Sequence, residues 1–175
     1  KIINRRPGLT EVEVELKTGE IRQAINYDDL TGEVSLEDEV ILNTTAVELG
    51  LGTGGYDFII YIEGSEPKEL DDLGHIMKLR YSPFQLKTLS VEEEASPFQE
   101  EIKDFTSLRG HPVIIGSLHS MLAPAVIVLN KLSDFSLKLA YIMTDGAALP
   151  LRLSNTVAKL QQKELLDTTI TIGHA

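Results

Sequence analysis

The sequence contains no cysteine and no tryptophan. The first absence removes disulfides, thiolate zinc sites and cysteine nucleophiles together, and it fits a cytoplasmic setting. The second, with aromatic residues at only 6%, leaves the core to Val, Ile, Leu and Ala, as is common where parallel strands are buried on both faces. No apolar run is long enough to span a bilayer: the longest, Met121 to Leu129, falls far short of the roughly 20 residues that a membrane helix needs. The opening Lys1-Ile2-Ile3-Asn4-Arg5-Arg6 lacks the apolar stretch of a signal peptide. It also lacks an initiator Met and reads as starting inside a strand, so residues are expected to precede it.

Basic residues are scarce in the first part of the chain. Residues 1–105 hold 10 Lys/Arg and 23 Asp/Glu, while residues 106–175 hold 6 and 4, which together give the net charge of -11. An acidic surface repels phosphate backbones and anionic lipid, so nucleic acid and membrane are not expected partners. A small molecule is. An apolar content of 42% is ordinary for a chain that buries a real core.

The expected fold is a mixed α+β and α/β arrangement. Residues 1–90 read as a small β-rich domain, 91–110 as an acidic connector, and 111–175 as the start of a parallel α/β domain that continues beyond the chain end. Glu11-Val12-Glu13-Val14-Glu15-Leu16 alternates strictly, the period of a half-buried antiparallel strand. Lys17-Thr18-Gly19-Glu20 is a hairpin turn and Ile21 to Tyr27 returns. Val40-Ile41-Leu42, Phe58 to Ile62 and Gly74 to Tyr81 read as further strands. Short strands with tight turns predict a small antiparallel barrel or a curled sheet. From His111 the texture changes. Pro112 to Gly116, Leu137 to Met143 and Thr168 to Ile172 read as buried strands. Pro124 to Leu132 and Pro150 to Leu160 read as helices, the second carrying Leu149, Leu153, Val157 and Leu160 on one face. The order β-α-β-α-β predicts three parallel strands in a Rossmann-like, three-layer unit.

Ligands of open parallel sheets bind beyond the carboxyl ends of the strands. Three segments fall there. Gly116-Ser117-Leu118-His119-Ser120 follows the first strand, Thr144-Asp145-Gly146 the second, and Gly173-His174 the third. His119 and Asp145 are the candidate catalytic pair, a general base and its orienter. Ser117, Ser120, Thr144 and Gly146 are candidate ligand contacts. His119, Asp145 and His174 are a candidate set for a divalent metal, the one cofactor the residues point to. The plainer readings are loop hydroxyls satisfying backbone groups, an Asx turn at Asp145 and a solvated terminal histidine. A serine-hydrolase reading lacks the Gly-x-Ser-x-Gly elbow.

Gly50-Leu51-Gly52-Thr53-Gly54-Gly55 could let backbone N–H groups approach a phosphate, through Gly52, Thr53, Gly54 and Gly55. It is not a P-loop, since no Gly-Lys-Ser/Thr follows, and a wide loop needing positive φ is the plainer reading. Arg80, sharing a strand face with Lys78, is the candidate anion contact in the acidic part.

Four stretches resemble a bacterial family known only as domain of unknown function 3866. They are Ile41 to Tyr56, Gly74-His75-Ile76-Met77-Lys78-Leu79-Arg80-Tyr81-Ser82-Pro83-Phe84-Gln85, Gly116-Ser117-Leu118-His119-Ser120, and Tyr141 to Pro150 with its Thr144-Asp145-Gly146 core. The resemblance implies no activity. It implies that members are longer and that this chain is the N-terminal portion. The functional expectation is therefore a protein, an enzyme or a binder, that takes a phosphorylated or nucleotide-like small molecule at the strand ends. The alternative is a non-catalytic assembly or regulatory module. A three-stranded parallel sheet leaves unpaired edges, so a second subunit or further chain is expected to cover them.

Overall fold

A computed structural model describes residues 1–66, 74–144 and 149–172. The chain divides into two compact units, Lys1–Arg109 and Gly110–Ala175, each with its own apolar core.

The first unit is built on an open five-stranded sheet in the order β1-β2-β3-β5-β4. Strands β1 (Ile2–Arg6), β2 (Leu9–Glu15) and β3 (Ile21–Asn26) form a meander. The alternation in β2 sets its register: Val12 faces Ala24 and Val14 faces Arg22 across the β2–β3 ladder. The turn closes through Gly19, at φ 83, a conformation that costs glycine little. Strand β5 (Asp57–Ile62) then lies parallel to β3, and β4 (Val40–Asn43) pairs antiparallel on the outside of β5. Helices α1 (Asp28–Thr31) and α2 (Thr45–Glu48) are single turns in the connections. Val12, Ala24, Val34, Ile59 and Ile62 form the core.

The expected barrel is not formed. Residues 27–39 add no strand: they carry α1 and insert Val34 into the core. β4 therefore ends at the far edge from β1, and closure would need strands and stagger that the sheet does not have. Beyond the sheet, β6 (Ile76–Lys78) and β7 (Leu86–Thr88) make a short antiparallel pair, and α3 (Gln99–Lys103) falls within the acidic stretch.

The second unit contains α4 (Leu122–Leu132), β8 (Ala140–Met143), α5 (Asn155–Gln162) and β9 (Thr168–Thr171). Pro124 sits in the first turn of α4, where its missing N–H has no helical acceptor to lose. β8 and β9 pair in parallel, with Ala140 opposite Thr168 and Ile142 opposite Ile170. Val126, Val157, Leu160 and Leu166 pack as the core, flanked by Leu122, Leu139 and Tyr141. Buried Asn130 ties α4 to the approach of β9, its Nδ2 donating to the carbonyls of Val126 and Leu165, both at 3.0 Å.

This corrects the expected Rossmann-like unit. Among the described residues of this unit, one crossover and two strands are present, not three strands with two crossovers. Val113, Ile114 and Ile115 enter no ladder and stand in solvent, Ile115 at 89% exposure. A continuous apolar run carries no periodicity that separates a buried strand from an unpaired segment, and Pro112 offers no N–H to a ladder.

Candidate functional site

His119 is the best-connected of the expected site residues that the structure describes. It opens a 3₁₀ turn, His119–Met121, that runs directly into α4. Its Nδ1 lies 2.9 Å from the Tyr141 hydroxyl and its Nε2 lies 2.8 Å from the Ser154 hydroxyl. Ser154 is the N-cap of α5 and accepts the Val157 N–H at 3.1 Å, which satisfies one orphan donor of the helix. Three elements thus meet on one imidazole: the entry to α4, the middle of β8 and the start of α5. Ser154 is almost wholly buried. Burial pushes the Tyr141 phenol above its ordinary pKa.

Hydroxyls flank both ring nitrogens, and each hydroxyl can donate or accept. With one neutral tautomer, Ser154 donates to Nε2 and Nδ1 donates to Tyr141. With the other, Tyr141 donates to Nδ1 and Nε2 donates to Ser154. Neither leaves a ring nitrogen open to a metal ion or to a substrate proton. In this arrangement His119 positions its neighbours.

The other expected residues divide by location. Ser117, Ser120 and Thr144 are exposed, Thr144 directly at the end of β8. Asp145, Gly146 and His174 lie outside the described residues, so the metal set and the His119–Asp145 pair have no described geometry. Among the described residues no group of three or more acidic or histidine side chains could hold a metal ion, and no helix is long and apolar enough to cross a membrane.

The glycine-rich loop belongs to the first unit. Gly50, Gly54 and Gly55 take positive φ values of 66, 70 and 86, and a Cβ added at Gly50, Gly52 or Gly55 would meet nothing within 4 Å. Backbone conformation explains three of these glycines, and open space lies beside the loop. At its exit, Asp57 is buried under Arg22, with Oδ2 3.4 Å from Nη1. Arg22 also holds Glu20 at 2.9 Å, and this hydrogen bond above all raises the guanidinium pKa. The buried Oδ1 of Asp57 and Oγ1 of Thr53 have no hydrogen-bond partner among the described residues. Arg80 is exposed. A surface depression beside α3, walled by Glu100, Glu101, Asp104 and Arg109, contains none of the expected site residues.

Tyr141 and Ser154 were not among the residues expected from sequence. Ser154 carried a readable signal, a serine just before an apolar helical pattern, but Pro150 offered an earlier start. Tyr141 carried none beyond its place in a strand.

Residues 23–175 match the model of a family described as Protein of unknown function (DUF3866). No curated protein and no solved structure matches the chain. Since the matched span covers most of its length, the chain belongs to this family of unknown function.

Proposed function

We propose that the protein binds a small phosphorylated or nucleotide-like molecule at the carboxyl end of the β8–β9 pair, with His119 as a positioning residue. The observation that carries this reading is the hydrogen-bond chain Tyr141–His119–Ser154. A crossover helix returns against its strands, so the start of α5 lies toward the carboxyl end of β8. The parallel pairing sends the segments that leave β8 and β9 out at that same end, the location that open parallel sheets use for ligands. His119 is bonded to the cap of α5, and the exposed Ser117 and Ser120 flank it in the chain. Thr144 adds a third. Hydroxyls and a helix N-terminus favour an anion. The acidic, cysteine-free composition supports a cytoplasmic setting and a partner other than nucleic acid.

The test is a thermal-shift screen of the protein with nucleotides, sugar phosphates and divalent metals. A ligand at a hundred times its Kd stabilises the fold by about 2.7 kcal/mol. The expected outcome is a stabilising anion whose effect is lost in Thr144→Val and Ser117→Ala/Ser120→Ala variants. Silence across the panel would remove this reading. It would favour the non-catalytic assembly module, which is supported by the burial of Ser154 and by the double engagement of His119.

A further inference from the structure

We propose that the exit of the glycine-rich loop in the first unit binds a hard divalent cation, calcium or magnesium, with Asp57 and Thr53 as its side-chain ligands. The chain brings both residues to one turn. The Tyr56 N–H donates to the Thr53 carbonyl at 3.5 Å, and Asp57 opens β5 directly after it. The Asp57 side chain is wholly buried, and its Oδ2 meets Arg22. Its Oδ1 and the Thr53 Oγ1 are both buried with no hydrogen-bond partner among the described residues, so they do not satisfy each other. Leaving such oxygens dry and unpaired is costly, for a carboxylate above all. The two orphans accept the same kind of partner: a carboxylate oxygen offers only lone pairs, and a hydroxyl can turn its own the same way.

Charge selects a cation. Ala24 stands beside Asp57 in the β3–β5 ladder, and Arg22, next but one before Ala24, falls on the same face of the sheet. The Arg22 guanidinium is shared among Glu20 at 2.9 Å, Asp57 at 3.4 Å and Glu48 at 3.9 Å. Negative charge is therefore in excess there, which favours a cation over the phosphate that a glycine-rich loop could otherwise cradle. The donors are all oxygen: a carboxylate, a hydroxyl and the carbonyls of the loop. Hard ions such as calcium and magnesium take that set, whereas zinc prefers nitrogen and sulfur. Both orphan atoms are shut off from solvent, so the ion enters as the loop shifts. The side-chain sides of Gly50, Gly52 and Gly55 are open, which leaves the loop room to do so. With so few side-chain ligands the site ranks among weak ones, with a Kd on the order of 10⁻⁴–10⁻³ M.

Titration of the whole chain with calcium chloride and, separately, with magnesium chloride tests this. Calorimetry and ¹⁵N–¹H amide shifts read the binding, in roughly 0.1 M potassium chloride to screen diffuse attraction to the acidic surface. At least one of the ions should saturate, with the amides of Gly52 to Asp57 moving along the same curve. Thr53→Val keeps the shape of the side chain and should weaken binding by at least about tenfold, with an unchanged circular dichroism spectrum. Asp57→Asn should abolish the saturable phase, and Thr53→Val decides the matter if that variant does not fold. A Glu100→Gln/Glu101→Gln variant, which removes acid from α3, should bind like wild type. No saturable binding of either ion, shifts that map to α3 and not to the loop, or a Thr53→Val variant that binds like wild type would overturn the proposal.

Discussion

Replacing Ser154 by alanine removes two hydrogen bonds from one buried position, the cap on the Val157 N–H and the contact with His119 Nε2. Loss of a serine N-cap costs about 1 kcal/mol. Loss of the buried bond to His119, with a ring nitrogen left against apolar surroundings, costs about 1 kcal/mol more. The expected destabilisation is thus about 2 kcal/mol, and in a unit of this size each kcal/mol lowers the melting temperature by about 4–8 °C. Chemical denaturation followed by far-UV circular dichroism measures it. Ser154→Asn keeps a capping oxygen and should recover roughly half of the loss. A double-mutant cycle with His119→Ala isolates the contact itself, with an expected coupling of about 1 kcal/mol. A coupling indistinguishable from zero, or a Ser154→Ala variant within about 0.5 kcal/mol of wild type, would refute the view that this hydrogen-bond chain holds the second unit together.

Gly74→Ala would place a Cβ 2.0 Å from the Thr88 carbonyl oxygen, so the β6–β7 pair must shift, at an expected cost of about 1–3 kcal/mol on denaturation. In an absorbance titration, Tyr27 and Tyr141 should ionise above the ordinary tyrosine range, because burial raises both phenols. The stability each neutral phenol gives is complete below the ordinary tyrosine pKa and is lost as pH rises through the raised folded value; Tyr27→Phe and Tyr141→Phe variants should each remove one late-titrating group. Glu93 accepts the backbone N–H groups of Ser90 and His75, both at 2.7 Å, and the Ser90 bond does most to lower its pKa. Stability from this carboxylate is present above the ordinary glutamate value and is lost as pH falls through the lowered folded one. The Ser90 and His75 amide shifts should titrate together, with a midpoint below that of a free glutamate.

The local features of the fold were legible in the sequence. Strict alternation from Glu11 to Leu16 and the turn at Gly19 fixed the β2–β3 hairpin, and Pro124, suited to a first turn, marked the start of α4. What lay hidden was pairing between distant segments. The parallel contact of β3 with β5 joins Ala24 to Asp57, and no local pattern signals it, so the meander read as a barrel. Val113-Ile114-Ile115 failed as a strand because strandhood requires a partner ladder, which an apolar run does not specify. The site shows the same division. His119 stood out from its place after an apolar run and before a helix. Its partners lie 22 and 35 residues away, and only the folding of β8 and α5 brings them to it. That same folding turned an expected base into a residue with both nitrogens engaged.

The most direct measurement of the proposed site is ¹⁵N NMR of the His119 imidazole, with and without an anionic ligand selected in the thermal-shift screen. In the free protein the ring should show two hydrogen-bonded nitrogens, and Ser154→Ala should remove the hydrogen bond at Nε2. On titration with ligand, the His119 ring and the amides of Ser117, Ser120 and Thr144 should move together along one saturation curve. Ligand-induced shifts confined to the first unit, at the loop from Gly50 to Gly55, would contradict a site at the carboxyl end of β8 and β9.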